Sequence, residues 1–322
     1  MTAAPHVRSQ SAHTDGRLER VLRAGGFAVT AEVAPPLSGA PHTLLEKALP
    51  LKGLADAVNV TDGASARIAM SALAAAAILV QNGIEPVQQI TSRDRNRIAL
   101  QADLLGGAAL GIRNVLILTG DDVKAGDCPD AKPVFDLKSQ EVIQLAAQMR
   151  DSGKIASGRD IKPPPKLFLG AADVPTDPKP DWKPTSLKQK ADAGADFVQT
   201  QFCFDAGVVR RYMKRLADEG LTERMFFLIG IGPIANPRSA RWMRENLFGT
   251  IIPDSVIERI EKAQKPAEEG VRICADLAHE FAEIPGVCGI HVMAPRNDEA
   301  VPKVIEACAD LRRPVLAKLG LA

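Results

Sequence analysis

The chain has 322 residues, 46% of them hydrophobic and 25% charged, the composition of a globular protein with a sizeable core. Its 40 Lys and Arg against 39 Asp and Glu leave a formal net charge of +1, which gives no electrostatic reason to expect a nucleic-acid or anionic-membrane partner. No run approaches the roughly 18 apolar residues of a membrane span, so we expect a small-molecule partner.

The beginning of the chain, residues 1–16, is polar and lacks the apolar segment of a secretory signal. We expect it to be a disordered lead-in, followed by one catalytic domain over 17–322. The five cysteines are scattered without a Cys-x-x-Cys pair. This spacing indicates reduced thiols and a cytoplasmic location rather than disulfides or a zinc site.

Eight β-rich segments alternate with amphipathic helical stretches in the following order: 27–33, 55–61, 86–91, 114–119, 166–171, 197–201, 225–231 and 287–292. The stretch 65–83 is rich in helix formers and ends in Asn82-Gly83, which predicts a helix with a C-cap. Eight βα units predict an α/β fold, a single (β/α)₈ TIM barrel, with extra helices over 253–284 before the last strand. A doubly wound open sheet is the rival, but no Gly-x-Gly-x-x-Gly turn follows the first strand.

Two long polar loops, 122–136 and 172–186, follow the fourth and fifth predicted strands. In a TIM barrel the loops after the strands form the face that carries the active site. We therefore expect both loops to shape a ligand site.

Polar residues end almost every predicted strand, and in a barrel these residues converge on one central mouth. They are Glu32, Thr61, Asp62, Gln88, Gln89, Thr91, Gly120-Asp121-Asp122, Asp173, Gln201 and His291. Any one of them can serve only as a helix cap, because Asp, Ser and Thr are common at such turns. A single histidine such as His291 is more often a hydrogen-bonding residue than a ligand, and we find no cluster with metal-ligand spacing, so we expect no metal.

Glu32 and Asp121 are the residues that capping explains least well. Glu32 lies inside an apolar strand followed by Pro35-Pro36, and a carboxyl in a half-apolar mouth favours the protonated form that a general acid needs. Asp122 can cap the loop alone, which leaves Asp121 to point inward. We therefore predict functional roles for both.

Long blocks of the sequence resemble the methylenetetrahydrofolate reductase family, flavin-dependent (β/α)₈ barrels that interconvert 5,10-methylenetetrahydrofolate and 5-methyltetrahydrofolate. The blocks are EVAPP at 32–36, ITSRDRNRIALQADLLGGAALGIRNVLILTGDD at 90–122, GDCPDAKPVFDLKS at 126–139, LKQKADAGADFVQTQFCFD at 187–205 and IGIGPIAN at 229–236. The loop from Gly120 to Ser139 is most similar to the reductase module fused to homocysteine methyltransferases. The resemblance thus covers most of the chain.

This resemblance implies an oxidoreductase of one-carbon metabolism and methionine biosynthesis that uses FAD, with NADH or NADPH as electron donor. Glu32 matches the glutamate that protonates N10 of the folate, and Asp121 matches the aspartate near flavin and pterin. The implied substrate-binding residues are Gln201, Phe204 and Arg296. The implied cofactor-binding residues are Thr61, Gln89, Thr119, Gly120, Asp121, Phe135, Ala171, Asp173 and Lys190. The family also implies a homo-oligomer, either a dimer or a tetramer.

The sequence departs from the family at three places. Gln89 stands where relatives carry a flavin-contacting histidine, Thr119 replaces an arginine, and a pterin-stacking aromatic falls near Pro237. Phe135, Phe202 and Phe204 are the alternative stacking candidates. The alternatives are a flavin-independent NADH-dependent reductase, and a folate-binding methyl-transfer or partner protein of the same fold.

Overall fold

The computed structural model describes residues 11–295 and 297–321. Eight parallel strands form one closed barrel in which each strand pairs with its neighbours in the chain, and β8 returns to pair with β1. The strands are β1 Ala28–Val33, β2 Ala57–Val60, β3 Pro86–Thr91, β4 Asn114–Leu118, β5 Phe168–Asp173, β6 Phe197–Phe202, β7 Phe226–Ile231 and β8 Val287–Val292. The predicted TIM barrel is confirmed.

Helices surround the barrel and also close its lower end, the end at which the strands begin. They are α1 Arg17–Arg23, α2 Pro41–Ala48, α3 Ala72–Gln81, α4 Arg97–Ala109, α5 Ser139–Ser152, α6 Thr185–Asp192, α7 Ala206–Asp218, α8 Pro237–Asn246, α9 Asp254–Lys262, α10 Pro266–Ala282, α11 Val301–Ala307 and α12 Ala309–Leu319. Helices α9 and α10 lie within 253–284 and precede β8, as predicted from the sequence.

Most predicted strand boundaries differ from the structure by one or two residues, and the end of one strand and the start of one helix matter most for the site. The fifth strand runs two residues further than predicted, to Asp173, so Ala172 belongs to the strand and not to the loop. The helix predicted over 65–83 begins only at Ala72, after the N-cap Ser71, because Ser65 and Ala66 adopt positive φ angles of 56° and 55° in a short turn. Its predicted C-cap is confirmed, with Gly83 at φ 71°.

Side chains inside the barrel are arranged in layers, because successive residues of a strand point alternately to the interior and to the helices. Phe168, Phe197 and Phe226 fill the lower interior, with the first two rings stacked at a centroid distance of 4.9 Å. Residues of α1 and α12 pack beneath them, including Leu18 and Leu316. The lower end is therefore closed by apolar packing, and polar side chains are found above it.

The last residues of the expected lead-in contact the barrel. Thr14 is buried and donates through Oγ1 to Glu19 Oε2 at 2.7 Å, and Asp15 pairs with Arg113 Nε at 2.8 Å. These contacts place residues 13–16 with the folded domain rather than with a disordered segment. Residues 1–10 lie outside the part of the chain that the structure describes.

Candidate active site at the barrel mouth

A cavity of about 350 Å³ opens at the carboxyl ends of the strands. Glutamate, amide, lysine and histidine side chains line it together with a few aliphatic ones. The lining comprises Glu32, Gln89, Leu116, Leu118, Ala172, Asp173, Val174, Lys190, Gln199, Thr200, Gln201, His291 and Met293. The mouth therefore combines a few aliphatic side chains with several groups that can give or take a proton or a hydrogen bond.

Glu32 lies at the inner edge of this cavity, on β1. Its side chain is 24% exposed, and Gln89 Nε2 donates a hydrogen bond of 2.9 Å to Oε2. The two residues come together because the ends of β1 and β3 converge at the mouth, on either side of β2. Gln89, which stands in place of the family histidine, thus holds the carboxyl group of Glu32.

A layer of polar side chains lies directly beneath Glu32. Asn59 and Gln199 exchange amide hydrogen bonds of 2.7 and 3.0 Å, and Gln199 Nε2 also donates to Thr30 Oγ1 at 2.9 Å. Thr30 Oγ1 lies 2.9 Å from Nδ1 of His291, whose Nε2 lies 3.7 Å from Glu32 Oε2. All four residues of this layer are at least 97% buried. A buried polar network of this kind fixes side-chain orientation, since each group is costly to leave unpaired.

His291 was predicted from the sequence as a residue of the mouth, whereas Thr30, Asn59 and Gln199 were not. The signal was present, because Thr30 precedes Glu32 by two residues and Gln199 precedes Gln201 by two. Alternate residues of a strand share a face. Polar residues at these positions in otherwise apolar strands therefore indicate a polar column rising to the mouth.

Lys190 and Asp173 form a second polar group on the opposite wall. Lys190, on α6, donates through Nζ to the carbonyl oxygen of Ala172 at 2.6 Å. Burial lowers the pKa of Lys190, while the charge of Asp173 acts against that shift. Burial raises the pKa of Asp173, and the hydroxyl of the fully buried Tyr212 donates to its carboxylate and opposes the rise. The sequence predicted the first two residues and missed Tyr212.

Two predicted ligand-binding side chains lie outside the mouth. Ala171 is fully buried among the apolar residues between sheet and helices, because the alternation of β5 turns Ala172 to the interior instead. Phe204 follows β6 and lies in the same outer core, with its ring stacked on Phe202 at a centroid distance of 6.1 Å. Neither side chain lines the cavity, and their roles in binding flavin and folate stay predictions.

Three other predicted residues differ in where they lie. Gln201 lines the cavity, and its Oε1 accepts from the Phe202 backbone N–H at 3.0 Å. Thr61 is buried at the end of β2. Arg296 lies outside the described residues.

The segment after β4 is largely exposed. Asp121 was predicted to point into the mouth, but it does not line the cavity. Its exposed carboxylate accepts a 2.6 Å hydrogen bond from the backbone N–H of Ser65. Asp122 caps the following turn by accepting from Lys124 N–H at 3.0 Å, as predicted. Thr119 and Phe135 are also exposed. The side chains of Asp121, Thr119 and Phe135 therefore lie outside the cavity, on the exposed side of the mouth.

A second cavity, of about 430 Å³, adjoins the mouth and shares Met293 with it. Its wall includes Trp242 of α8, whose side chain is half exposed. Trp242 lies five residues after Pro237, near which the resemblance placed a pterin-stacking aromatic. It is thus an aromatic near the mouth that the sequence analysis did not select.

Within residues 11–295 and 297–321, no group of three or more His, Cys, Asp or Glu side chains is arranged to hold a metal ion. No helix in that part of the chain is long and apolar enough to cross a membrane.

Among solved structures, the fold is similar to a protein from Clostridium thermocellum that binds two copies of 5-methyl-5,6,7,8-tetrahydrofolic acid. That match has a TM-score of 0.59 at 13% identity and covers 92% of this chain and 99% of the other. Long-chain alkane monooxygenase LadA matches with a TM-score of 0.52 at 12% identity, over 92% of each chain. Both similarities concern the fold.

Similar sequences include methylenetetrahydrofolate reductase 1 of Schizosaccharomyces pombe, 23% identical over 69% of this chain and 35% of the relative. A probable NADPH-dependent methylenetetrahydrofolate reductase of Caenorhabditis elegans is 22% identical over 75% of this chain and 35% of the relative. The 5,10-methylenetetrahydrofolate reductase of Salmonella typhimurium is 23% identical over 63% of this chain and 62% of the relative. The chain thus spans about a third of the two eukaryotic relatives and less than two thirds of the bacterial one.

The family model described as methylenetetrahydrofolate reductase matches residues 17–309, which include every strand of the barrel and the whole lining of the mouth. The chain belongs to the methylenetetrahydrofolate reductase family.

Proposed function

We propose that the barrel mouth reduces 5,10-methylenetetrahydrofolate to 5-methyltetrahydrofolate, with Glu32 as the general acid. The observation that carries this proposal is the position of Glu32. Its carboxyl group lines the cavity, is only partly exposed, and is held by the neutral amide of Gln89 rather than by a cation. In the part of the chain that the structure describes, no cation neutralises this carboxyl group, and it faces the space that a bound folate would occupy.

In the proposed reaction Glu32 gives its proton to N10 of the folate as the bond between N10 and the bridging carbon breaks. The electron pair of that bond stays on N10, and the bridging carbon becomes an iminium on N5. A hydride equivalent then reduces this iminium to the methyl group. Gln201 lines the same cavity and can hold the pterin amide edge by hydrogen bonds.

The family membership implies FAD, and the residues of the mouth suit an electron-rich ring. An ammonium group has three donors, and one of those of Lys190 is used by the carbonyl oxygen of Ala172. Lys190 can therefore also donate to a ring carbonyl, with Asp173 beside it and Thr61, Thr119, Gly120 and Phe135 at the rim. When bound, a flavin would supply the hydride after its own reduction by NADH or NADPH.

Asp121 has a rim position in this proposal. Its carboxylate is fixed by the N–H of Ser65. Asp94 is the main cause of the raised pKa of the Arg93 guanidinium, and the nearby charge of Asp121 adds to that rise. A carboxylate fixed near the rim stabilises positive charge that develops on a bound ligand. We also propose that the chain assembles as a homo-oligomer, which light scattering after gel filtration would test.

The test is an anaerobic absorbance titration of the purified protein, first with NADH or NADPH and then with methylenetetrahydrofolate. Bleaching of a flavin band by the nicotinamide and its return with the folate support the proposal. A colourless protein that oxidises NADH with the folate supports direct hydride transfer from nicotinamide. Folate binding without either reaction would leave the methyl-transfer or partner function and overturn the reductase.

Replacing Glu32 with Gln separates the two halves of the reaction. We expect Glu32→Gln to slow folate turnover by at least about a hundredfold, because it removes the proton donor, and to leave reduction by nicotinamide nearly unchanged. Glu46→Gln, on the exposed face of α2, is the matched control and should behave as wild type. Equal loss of both half-reactions in Glu32→Gln would remove Glu32 from the acid role.

A further inference from the structure

His291 lies deeper in the barrel than Glu32 and is almost completely shielded from solvent. Its ring is 3% exposed, with Nδ1 directed at Thr30 and Nε2 directed at Glu32. The proposed proton transfer uses Glu32 and does not by itself require a histidine. The question is which of the two ring nitrogens carries the proton.

The hydrogen bonds around Thr30 decide this. Gln199 Nε2 donates to Thr30 Oγ1 at 2.9 Å, so the hydroxyl uses its own proton elsewhere. Nδ1 of His291 lies 2.9 Å from Oγ1, whereas the alternative acceptor, the carbonyl oxygen of Ile290, lies 3.5 Å away. The shorter distance favours donation by the Thr30 hydroxyl to Nδ1 over donation to the Ile290 carbonyl oxygen.

Gln199 Nε2 also lies near this ring nitrogen, at 3.4 Å, but its two hydrogens are used by Thr30 Oγ1 and Asn59 Oδ1. The amide of Gln199 is in turn oriented by its reciprocal bonds with Asn59. With the Thr30 hydroxyl directed at it, Nδ1 is assigned as the acceptor, which puts the proton of a neutral ring on Nε2. The N–H then points at the carboxyl group of Glu32.

We propose that His291 is a positioning residue that presents Nε2–H to Glu32 and stabilises the carboxylate formed when Glu32 has given its proton to the folate. The inference rests on the proposed function and adds a residue to it. At 3.7 Å the contact is a charge–dipole interaction rather than a full hydrogen bond. In a buried layer such an interaction is only weakly screened.

His291 does not relay protons from below in this scheme. The layer beneath it ends in the amide pair of Asn59 and Gln199, and amides do not ionise. Glu32 therefore recovers its proton from the open side of the mouth, where it is partly exposed. The charged or titratable groups lining the mouth are Glu32 from β1, His291 from β8, Asp173 from β5 and Lys190 from α6, whereas β3 and β6 present the neutral Gln89 and Gln201.

Two substitutions of His291 separate this role from a structural one. Gln can place an N–H where Nε2 was, and Asn can place one only where Nδ1 was. We expect His291→Asn to slow the folate half-reaction by about threefold, less than the loss of a full hydrogen bond would cause, while His291→Gln stays close to wild type. The rate of reduction by nicotinamide should be the same in both variants as in the wild-type protein.

The pH profile of the folate half-reaction gives a readout that packing alone would not change. The rate falls as pH rises, because Glu32 must be protonated to act. Without the donor the carboxylate is less stable, so the falling limb of His291→Asn should lie at higher pH than that of wild type and His291→Gln. Identical profiles for all three proteins would overturn the inference.

The tautomer can be measured without catalysis, by ¹⁵N NMR of histidine-labelled protein, with the His291 signal assigned by its loss in His291→Gln. We expect the proton on Nε2 in wild type and Thr30→Ser, and partial transfer to Nδ1 in Thr30→Val, which lacks the hydroxyl. A proton on Nδ1 in a wild-type protein that turns over the folate would overturn only this inference. Absence of turnover would instead overturn the proposed function.

Discussion

Lys190 places a charge in the wall of the mouth at a cost to the stability of the fold. Burial lowers its pKa, and its ammonium group contacts a backbone carbonyl, with Asp173 as a more distant counter-charge. Asp173 itself has a raised pKa, again because of burial. Two ionisable groups that are both disfavoured in their charged forms are typical of a site selected for binding rather than for stability.

Replacing Lys190 with Met should therefore stabilise the protein and weaken cofactor binding. We expect a gain of about 0.5 to 2 kcal/mol in the free energy of unfolding at pH 7, because a buried ammonium is replaced by an apolar chain of similar length. FAD affinity, measured by fluorescence titration, should fall. Lys188→Met, on the exposed side of the same helix, is the control and should change neither quantity.

The gain should depend on pH in a defined direction. The folded protein holds the Lys190 proton less tightly than the unfolded chain, so the cost is fully present below the lowered pKa. It disappears as pH rises from that lowered value toward the ordinary value of 10.5. The stability difference between Lys190→Met and wild type should shrink over this range, and a difference that grows with pH would contradict the assignment.

At the scale of elements, the segment after β4 is attached to the end of β3. Val134 N–H donates to Arg93 O at 2.7 Å and Phe135 N–H to Ser92 O at 3.2 Å. Gly120 begins this segment with a φ of 95°, and a Cβ there would lie 2.9 Å from the Cβ of Arg93. The segment therefore requires glycine both for its backbone angle and for its contact with β3.

Gly120→Ala tests this requirement against a glycine with a similar angle and free space. Gly158 has φ 87° and no atom within 4 Å of the position that a Cβ would take, so Gly158→Ala measures the cost of the angle alone, about 1 kcal/mol. We expect Gly120→Ala to cost more in thermal unfolding and to weaken flavin binding, which Gly158→Ala should not do. Equal effects of the two substitutions would show that the contact with Arg93 is relieved without cost.

Strands were easier to predict from the sequence than the ends of helices and the directions of side chains. Each strand is a short apolar run bounded by polar residues, and all eight were found. The turn at Ser65 and Ala66 was not, because both residues suit a helix and their positive φ angles depend on the distant Asp121, which binds the Ser65 N–H. The position of Phe204 in the outer core could not be predicted either, because the choice between mouth and outer core depends on the path of the chain after β6.

At the scale of the whole molecule, the two halves of the barrel, β1 to β4 and β5 to β8, each contain a buried aspartate that joins their first two strands. Asp56, just before β2, accepts from Val29 N–H of β1 at 2.8 Å and binds Arg17 and Arg312. Asp196, just before β6, accepts from Leu169 N–H of β5 at 2.8 Å and binds Arg150. Each aspartate is at least 95% buried, and each fixes the start of one strand to the previous strand and to a helix.

Substituting these aspartates tests whether the halves unfold together. Asp56→Asn should lower the free energy of unfolding by about 3 kcal/mol, because it leaves the buried Arg312 without its counter-charge. Asp196→Asn should cost less, because Arg150 keeps its pair with Asp151. Asp218→Asn, in the exposed pair with Lys214, should cost less than about 1 kcal/mol. Urea unfolding followed by circular dichroism measures all three.

The number of transitions in the unfolding curve shows whether the two halves of the barrel unfold together. Because β8 pairs with β1 and β4 with β5, neither half can lose its first strand without exposing an edge of the other. Weakening one half should therefore shift a single transition to lower urea with little change in slope, since the surface exposed on unfolding stays the same. An earlier, separate transition in Asp56→Asn that is absent from Asp196→Asn would instead show that the half carrying Glu32 unfolds alone. The mouth, which needs Glu32 from the first half and Lys190 from the second, would then be lost before the second half unfolds.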